Sequence, residues 1–304
     1  MYLSSLGRAV APAEASVSAF DRGFLYGDSV YETLRTSGGE PVALVEHLDR
    51  LERSAAGILL RLPFSKTEIV AAMRATVEAA HNVDSKVRVV VTRGGGPMAL
   101  DTRKSHGPLL VIYVEPLVTP SPEAYERGLS AVIVDYRGHN RDMFAPSLKT
   151  GNYLPSILAL RAAIDQNADD AIMVNAHGHV AEAAASNIFM VASEAVTTPS
   201  LDTGVLSGIT RQAVIQLARA LGFSMQERAV LPAELHGADE VFLTSSVRGV
   251  MPVTRLDNRA VGEQGPEEGF GRMGPVTRKI HEAYGAWLAK IARGGAEGHT
   301  WDPR

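Results

Sequence analysis

The sequence predicts a two-domain α/β protein, and three observations lead to this prediction. Short β-branched stretches alternate with amphipathic helical stretches, which is typical of mixed α/β folds. The chain has 304 residues, more than one hydrophobic core usually fills. A proline-containing stretch at 116–122 suits a domain boundary. We therefore expect an N-terminal domain at 1–115, an interdomain loop at 116–128, a larger domain at 129–293 and a disordered tail at 294–304.

The individual elements follow from local patterns. Short runs rich in β-branched residues predict strands at 88–92, 109–114, 131–135 and 240–243. Ser65 and Glu68 have the spacing of a capping box, and apolar residues at 69, 73 and 77 predict a helix after it. Further helices are expected at 47–58, from 154 onward and at 212–221. A glycine-rich polar stretch at 262–274 predicts a loop.

Composition excludes several classes of function. The chain contains no cysteine, which rules out disulfides, thiolate metal sites, iron–sulfur clusters and cysteine nucleophiles. Its formal net charge of −4 argues against nucleic acid or an anionic membrane as the main partner. Neither a signal peptide nor a membrane-spanning apolar run is evident. We therefore expect a cytoplasmic protein that binds no metal, no nucleic acid and no membrane.

Three features suit an anionic ligand such as phosphate. The segment 207–211 precedes a helical pattern, and the free amides of a helix N-terminus bind phosphate, although an ordinary helix cap has the same pattern. Hydroxyl residues at 244–246 follow a predicted strand, where they could bind an anion or simply end the strand. Arg50 could hold phosphate with paired donors, or it could be an exposed arginine paired with Glu46 or Asp49.

Two further residues could carry chemistry. Lys149 lies in an irregular turn before a helix, where a partly buried amine can serve as nucleophile or base. Glu182 stands among small apolar residues, which suggests a carboxylate held by a partner, although a surface glutamate is the simpler interpretation. A phosphate site, an amine and a carboxylate together match the needs of pyridoxal phosphate.

These features recur in the order of a known family. The markers are 21–32, 47–51, Lys149 with Asn152, Glu182 with 186–189, 208–211, and 244–246 with 251–253. On these residues the chain resembles the fold-type IV (class IV) pyridoxal-phosphate aminotransferases, which include branched-chain aminotransferases, D-amino acid aminotransferases and aminodeoxychorismate lyases. The resemblance spans residues 17–277. It implies a small N-terminal α/β domain, a larger β-barrel-like C-terminal domain, and a homodimer with the active site at the interface.

The resemblance also implies roles for single residues. Lys149 would form the Schiff base with pyridoxal 5′-phosphate and move the catalytic proton, and Glu182 would hold the pyridine nitrogen. The other implied cofactor-binding residues are Arg50, Tyr153, Ile209, Thr210, Ser245 and Ser246. The implied substrate-binding residues are Tyr26, Tyr31, Thr33, Arg35, Arg88 and Val247.

The substrate is left open between several members of the family. Arg93 and Gly94 are not followed by the Arg-x-His carboxylate trap of common D-amino acid aminotransferases. Arg35 matches a position of branched-chain enzymes, and Arg88 matches a basic residue that branched-chain enzymes and the lyases have on this strand. We therefore expect a transaminase of branched-chain or apolar L-amino acids, with a 2-oxo acid such as 2-oxoglutarate as acceptor. Thr33 and the spacing from Lys149 to Asn152 favour aminodeoxychorismate lyase, which forms 4-aminobenzoate and pyruvate.

Two further functions stay open. A D-amino acid or (R)-amine transaminase could use Arg35 or Arg248 for the substrate carboxylate. A non-catalytic binding protein on the same fold is disfavoured because both Lys149 and Glu182 are present.

Overall fold

The computed structural model describes residues 1–135, 148–262, 272–294 and 301. The contacts between Cα atoms divide the chain into two compact units. The first unit comprises Met1–Val118, Leu148–Asn152 and Leu288–Arg304, and the second comprises Thr119–Ser147 and Tyr153–Trp287. The first break falls inside the expected boundary segment 116–128. The sequence did not predict that residues 148–152 and 288–304 belong to the first unit.

The first unit contains a six-stranded antiparallel sheet. Its strands are β1 (Tyr2–Leu3), β2 (Arg8–Ala9), β3 (Ser29–Ser37), β4 (Glu40–Pro41), β5 (Ser85–Thr92) and β6 (Leu109–Pro116). Their order in the sheet is β2-β1-β6-β5-β3-β4. The helices are α1 (Arg22–Tyr26), α2 (Leu44–Gly57) and α3 (Lys66–Ala80), with short 3-10 helices at Pro12–Glu14 and Thr102–Lys104.

The core of this unit lies between one face of the sheet and helices α2 and α3. Alternate residues of β3 point to opposite faces, so Val30 and Leu34 enter the core while Tyr31, Thr33 and Arg35 occupy the other face. The predicted capping box is present at the start of α3. Helix α2 begins three residues before the predicted start, after Ala43, which has a left-handed conformation and no capping side chain to signal the helix.

The second unit contains a nine-stranded mixed sheet. Its strands are β7 (Leu129–Asp135), β8 (Asp170–Val174), β9 (Val180–Ala183), β10 (Asn187–Ala192), β11 (Ala195–Pro199), β12 (Ser224–Arg228), β13 (Glu240–Ser245), β14 (Gly249–Leu256) and β15 (Arg259–Ala260). The order is β12-β11-β10-β13-β14-β7-β8-β9, and β15 pairs with β14. The sheet is curled, since β9 at one end of this order also packs against β10. This matches the predicted barrel-like C-terminal domain.

Helices cover the second unit's sheet. They are α4 (Pro122–Arg127), α5 (Leu154–Ile164), α6 (Ile209–Ala220), α7 (Pro232–His236) and α8 (Pro275–Ala292), with a 3-10 helix at Leu201–Thr203. The residues of α8 up to Trp287 belong to this unit, and those from Leu288 belong to the first. In the part of the chain that the structure describes, no helix has the length and apolar character needed to cross a membrane.

The predicted strands are confirmed within β5, β6, β7 and β13, and the predicted helices within α2, α3, α5 and α6. Two predictions need correction. The expected loop 116–128 contains a helix, α4, which Ser121 caps through a hydrogen bond from Ala124 N. In the expected tail 294–304, Trp301 packs against the first unit's core, and its Nε1 donates to Gly39 O at 3.3 Å. Residues 295–300 and 302–304 lie outside the described residues, as do 263–271 of the expected loop 262–274.

Candidate active site

The backbone around Lys149 runs alongside β3 in the first unit. Tyr31 N donates to Lys149 O at 3.1 Å, and Gly151 N donates to Ser29 O at 2.9 Å. On the other side of the segment, Lys149 N donates to Ser54 Oγ at 3.0 Å. These bonds fix the backbone of the lysine, and its Nζ lies 4.5 Å from the centroid of the Tyr31 ring. The structure thus brings together Lys149 and Tyr31, two of the predicted site residues.

A buried ionic cluster connects β3 with α2. Arg50 donates from Nε to Glu32 Oε1 and from Nη2 to Glu32 Oε2, both at 2.7 Å. His47 Nδ1 lies 2.7 Å from Glu32 Oε2. All three residues are buried, with 1% to 4% of their surface exposed. The simpler interpretation of Arg50 as an exposed arginine paired with Glu46 or Asp49 is therefore wrong, and its partner is Glu32.

The electrostatics of the cluster fix its protonation. Burial alone would raise the pKa of Glu32, but hydrogen bonds and charge from Arg50 and His47 lower it to about 2. Burial lowers the pKa of His47, the charges of Arg50 and Lys149 add to this effect, and Glu32 opposes it. His47 is therefore neutral near pH 7. Because the ionised Glu32 can only accept, Nδ1 of His47 carries the proton and donates it.

The predicted substrate-binding residues of β3 and β5 share one face of the sheet. In the antiparallel register Thr33 lies opposite Arg88, and Arg35 lies opposite Lys86, so their side chains point to the same side. Arg88 Nε donates to Thr33 Oγ1 at 3.3 Å, and Arg88 Cζ lies 4.9 Å from the Tyr31 ring centroid. Arg88 therefore lies beside the aromatic ring that contacts the Lys149 amine, and Arg35 lies further along the same face.

Arg35 and Tyr26 have different local partners. Arg35 Nε donates to Thr36 O at 3.2 Å. Tyr26 is the last residue of α1, and its ring centroid lies 5.0 Å from the guanidinium carbon of Arg22. Tyr26 thus contacts the buried Arg22, and it does not belong to the row of side chains that Tyr31, Thr33 and Arg88 form on β3 and β5.

In the second unit, Glu182 and Asn187 hold the segment that leads into α6. Glu182 Oε2 accepts from Leu206 N at 3.1 Å and from Asn187 Nδ2 at 3.4 Å. The same Asn187 amide donates to Leu206 O at 2.9 Å. Glu182 is half-buried on β9, so it is not a freely exposed surface residue. Asn187 belongs to the sequence motif at 186–189, but its role in this network is a finding of the structure.

The N-terminus of α6 presents backbone amides without a side-chain cap. The helix begins at Ile209, three residues before the predicted start at 212, and its N-cap is Gly208. A Cβ on Gly208 would collide with Asn187 Oδ1, so only glycine allows this close approach. The first turn carries no acidic residue. Its free amides and partial positive charge are therefore available to an anion.

A hairpin between β13 and β14 carries the predicted hydroxyl residues. Ser245 pairs with Gly249, so residues 246–248 form the turn. Thr244 pairs with Asn187 on the neighbouring strand β10, which places the two side chains on one face. Thr244 Oγ1 is buried and, among the described residues, has no hydrogen-bond partner. Thr244 thus belongs to the hydroxyl residues 244–246 that could bind an anion, although the family resemblance did not name it as a cofactor-binding residue.

The remaining predicted residues lie at the ends of helices and in this turn. Tyr153 is the N-cap residue of α5, with φ −88° and ψ −7°, and it is half-buried. Ser245, Ser246 and Val247 are half-buried as well. The structure thus places the second unit's predicted residues on four elements: strand β9, the end of β13 with the turn after it, and the N-termini of α5 and α6.

Comparisons with known proteins identify the family of this chain. The profile of the family described as amino-transferase class IV matches residues 29–256. A putative branched-chain-amino-acid aminotransferase of Methanocaldococcus jannaschii is 34% identical, covering 91% of this chain and 93% of the relative. A D-alanine aminotransferase of Bacillus licheniformis is 32% identical, with the same coverage.

A solved structure extends the likeness to the fold. The branched-chain aminotransferase of the thermophilic archaeon Thermoproteus uzoniensis, crystallised with norvaline, superposes with a TM-score of 0.81. The two chains are 31% identical, and the match covers 98% of this chain and 96% of that one.

Proposed function

Because the chain belongs to the class IV aminotransferases, we propose that it transfers an amino group from a branched-chain or other apolar L-amino acid to a 2-oxo acid such as 2-oxoglutarate. The proposed cofactor is pyridoxal 5′-phosphate. The observation that carries the proposal is the amine of Lys149 beside the Tyr31 ring, on the sheet face that also bears Arg88. Aminotransferase activity follows from the family, and the substrate is the proposed part.

The residues present fit the chemical needs of this cofactor. Its aldehyde requires an amine, and Lys149 offers one on a fixed backbone. Its phosphate requires N–H and O–H donors, which the uncapped first turn of α6 and the buried hydroxyl of Thr244 supply. Its pyridine nitrogen requires a carboxylate, and Glu182 is held in place by Leu206 N and Asn187. When bound, the cofactor supplies an electron sink for the negative charge at the substrate Cα.

The proposed role of each residue follows from the chemistry of its side chain or backbone. Lys149 would attach the cofactor covalently, and its amine would serve as the base for the proton on the substrate Cα. Glu182 would hold the pyridine nitrogen in its protonated form through a charge-assisted hydrogen bond. The residues that would hold the phosphate are Arg50, the amides of Ile209 and Thr210, and the hydroxyls of Thr210, Ser245 and Ser246, with Thr244 as a further donor. Tyr153 would be a further cofactor-binding residue.

Substrate recognition is assigned to the row of side chains around Arg88. We assign the substrate carboxylate to the amides of Ser246 and Val247. Arg88, Arg35, Tyr31 and Thr33 on the first unit's sheet are proposed as further substrate-binding residues. Tyr26, which contacts Arg22, is proposed on the family resemblance alone. A second candidate is D-amino acid transamination, which the similarity to D-alanine aminotransferase favours. The third candidate is lyase activity on aminodeoxychorismate, which the donor panel described below also tests.

A homodimer is part of the proposal. In the first unit, Phe20, Phe24, Met98 and Leu100 are 58–80% exposed. In the second, Leu154, Ile157 and Leu158 on α5 are 46–62% exposed. Exposed apolar side chains in such numbers are characteristic of surfaces that a partner covers. Light scattering coupled to size exclusion should give twice the monomer mass, and a monomer would contradict this part. The cytoplasmic location stays a prediction.

The decisive experiment is a donor panel. Purified protein with pyridoxal phosphate and 2-oxoglutarate is offered L-leucine, L-alanine, D-alanine and, separately, aminodeoxychorismate. We expect the highest kcat/KM with L-leucine. Conversion of D-alanine but not L-leucine would replace the proposal by the D-specific one, and release of 4-aminobenzoate would establish the lyase.

A lysine variant tests the site assignment. Lys149→Ala should lose the near-visible absorption band of the bound cofactor and transaminase activity together. The control is Lys290→Ala on the exposed side of α8, which should keep both. Retention of the band by Lys149→Ala would refute the assignment of the amine.

A further inference from the structure

Arg248 occupies the last position of the turn between β13 and β14. Its Nη2 donates to Asp170 Oδ2 at 2.7 Å and to Ser186 Oγ at 3.1 Å. The side chain is 28% exposed, whereas that of Asp170 is 3% exposed. A charged hydrogen bond to a carboxylate in such surroundings is stronger than one on the surface. The guanidinium therefore has a defined internal partner.

Asp170 is a fixed anchor for this contact. It is the first residue of β8, a strand that is buried along its whole length. Its second carboxylate oxygen, Oδ1, accepts from Ala171 N at 2.9 Å and from Ala184 N at 3.4 Å. The carboxylate is therefore held by the backbone of β8 and by the residue that follows β9. Arg248 joins its turn to this anchor.

Ser186, the second acceptor, lies in the connection that carries the proposed cofactor-binding carboxylate. This connection joins β9, which bears Glu182, to β10, which begins at Asn187. Ser186 O accepts from Ala183 N at 2.8 Å, which closes the connection tightly. Arg248 thus ties the turn 246–248 to the segment that holds Glu182 and Asn187.

The backbone of Arg248 is held as well. Arg248 O accepts from Tyr125 OH at 2.7 Å, and Arg248 N donates to Ser245 Oγ at 3.3 Å. Gly249 follows with a φ of +63°, and a Cβ there would meet the ring of Tyr284 at 2.9 Å. A left-handed glycine that closes a three-residue hairpin loop is a common turn geometry. The side chain, carbonyl and next residue of Arg248 are all constrained.

We propose that Arg248 is a positioning residue, which fixes the amides of Ser246 and Val247 by anchoring their turn to Asp170 and Ser186. It does not bind the substrate carboxylate itself. This inference rests on the proposed function, in which those two amides receive the carboxylate. It predicts that Asp170, which contacts no substrate in this scheme, affects substrate binding as strongly as Arg248 does.

The first test separates positioning from direct binding. Arg248→Gln and Asp170→Asn should each raise KM for the amino donor about tenfold, equivalent to about 1.4 kcal/mol, with a smaller change in kcat. If Arg248 bound the carboxylate directly, Arg248→Gln would raise KM while Asp170→Asn, which releases the guanidinium, would not. That result would overturn the proposal. Arg248→Lys should recover part of the loss, since it retains a cation for Asp170.

The second test needs no activity. Urea unfolding is measured for the wild type, Arg248→Gln, Asp170→Asn and the double variant. Each single change should lower the urea concentration at the unfolding midpoint. The decrease in the double variant should be smaller than the sum of the two single decreases, because neither charge is then left buried without its partner. The matched control is Arg161→Gln on α5, whose exposed pair with Asp165 should contribute little. If the stability losses of the two single variants added up strictly in the double variant, the proposed anchoring of Arg248 by Asp170 would be wrong.

The two tests also distinguish the failure of each idea. If the wild type transaminates no donor in the panel, the proposed function fails, and the unfolding cycle still decides whether Arg248 is anchored by Asp170. If the wild type is active and the cycle shows coupling but Asp170→Asn leaves KM unchanged, the proposed function stands and the positioning role is wrong.

Discussion

Arg50 holds Glu32 with two hydrogen bonds of 2.7 Å in the core of the first unit. Glu32→Gln should therefore be strongly destabilising, because the amide cannot balance the buried guanidinium. Breaking a buried ion pair from one side typically costs about 3 kcal/mol. Urea unfolding should show a loss of this order in the free energy of unfolding.

An exposed pair provides the comparison. Glu78 accepts from Arg74 at 2.9 Å on the surface of α3, with the two side chains 63% and 60% exposed. Glu78→Gln should change the free energy of unfolding by less than about 0.5 kcal/mol, since water and salt screen such pairs. Equal effects of the two glutamate substitutions would contradict the importance assigned to the buried pair.

The buried cluster also predicts a pH dependence of stability. The pKa of His47 is lower in the folded protein than its ordinary value of 6.5. Below pH 6.5 the unfolded chain therefore binds a proton that the native state does not. The free energy of unfolding decreases as the pH is lowered, by up to about 1.4 kcal/mol per pH unit. Urea unfolding between pH 8 and pH 5 measures this slope.

Glu32 continues the same trend at lower pH. Its folded pKa of about 2 lies below its ordinary value of 4.5, so its contribution is complete above pH 4.5 and is lost as the pH falls towards 2. His47→Gln keeps a donor for Glu32. This variant should flatten the dependence of the free energy of unfolding on pH between pH 6.5 and pH 5, and it should leave the dependence at lower pH unchanged. An unchanged slope in this variant would mean that His47 titrates normally in the folded protein.

Gly208 should not tolerate a side chain. A Cβ at this position would displace Asn187, which would disturb its hydrogen bond to Leu206 O and the contact with Glu182. Gly208→Ala should therefore lower the affinity for pyridoxal phosphate as well as stability, by about 1–3 kcal/mol for the overpacking. Fluorescence titration of the apoprotein and urea unfolding measure the two effects.

Another glycine serves as the control. Gly285 lies on the exposed side of α8, where a methyl group on its Cα would meet only open space. Gly285→Ala should stabilise the protein by up to about 1 kcal/mol, because alanine is the better helix former. If both alanine substitutions had the same effect, the tight approach at Gly208 would have no energetic consequence.

Glu240 caps the helix α8 from a buried strand. Its Oε1 accepts from Val276 N at 2.9 Å and its Oε2 from Thr277 N at 2.7 Å. Glu240→Gln replaces one acceptor by a donor that faces an amide, and it removes the charge that favours the positive end of the helix. We expect a loss of about 1–2 kcal/mol in urea unfolding. Glu282→Gln, an exposed change on the same helix, should be nearly neutral.

Local signals in the sequence located many of the elements. The capping box at Ser65 and Glu68 marked the start of α3, and β-branched runs marked β5, β6, β7 and β13. Strands such as β3 were not predicted because charged and polar residues stand on both of its faces: Glu32 faces the core and Arg35 the other side. The helix α4 was missed because prolines before it suggested a loop.

The candidate site was predictable as a set of residues but not as a set of contacts. The ordered motifs named Lys149, Glu182 and the start of α6, and their roles stay predictions. The structure added the contacts of Asn187, and it showed which of the hydroxyl residues 244–246 has a buried oxygen without a hydrogen-bond partner among the described residues, namely Thr244. It also separated Tyr26, which stacks on Arg22, from the row of Thr33 and Arg88 on the sheet.

By itself, the sequence determined the α/β class, the family and the type of residue at each position of the candidate site, because these depend on short motifs and local periodicity. Only the tertiary structure decided the partners of the charged groups. Arg50 pairs with Glu32, 18 residues away, rather than with a neighbour on its helix, and Arg248 pairs with Asp170, 78 residues away. The physical reason is burial: a charge removed from water must meet an opposite charge in the packed interior, and packing brings together residues that are distant in the chain.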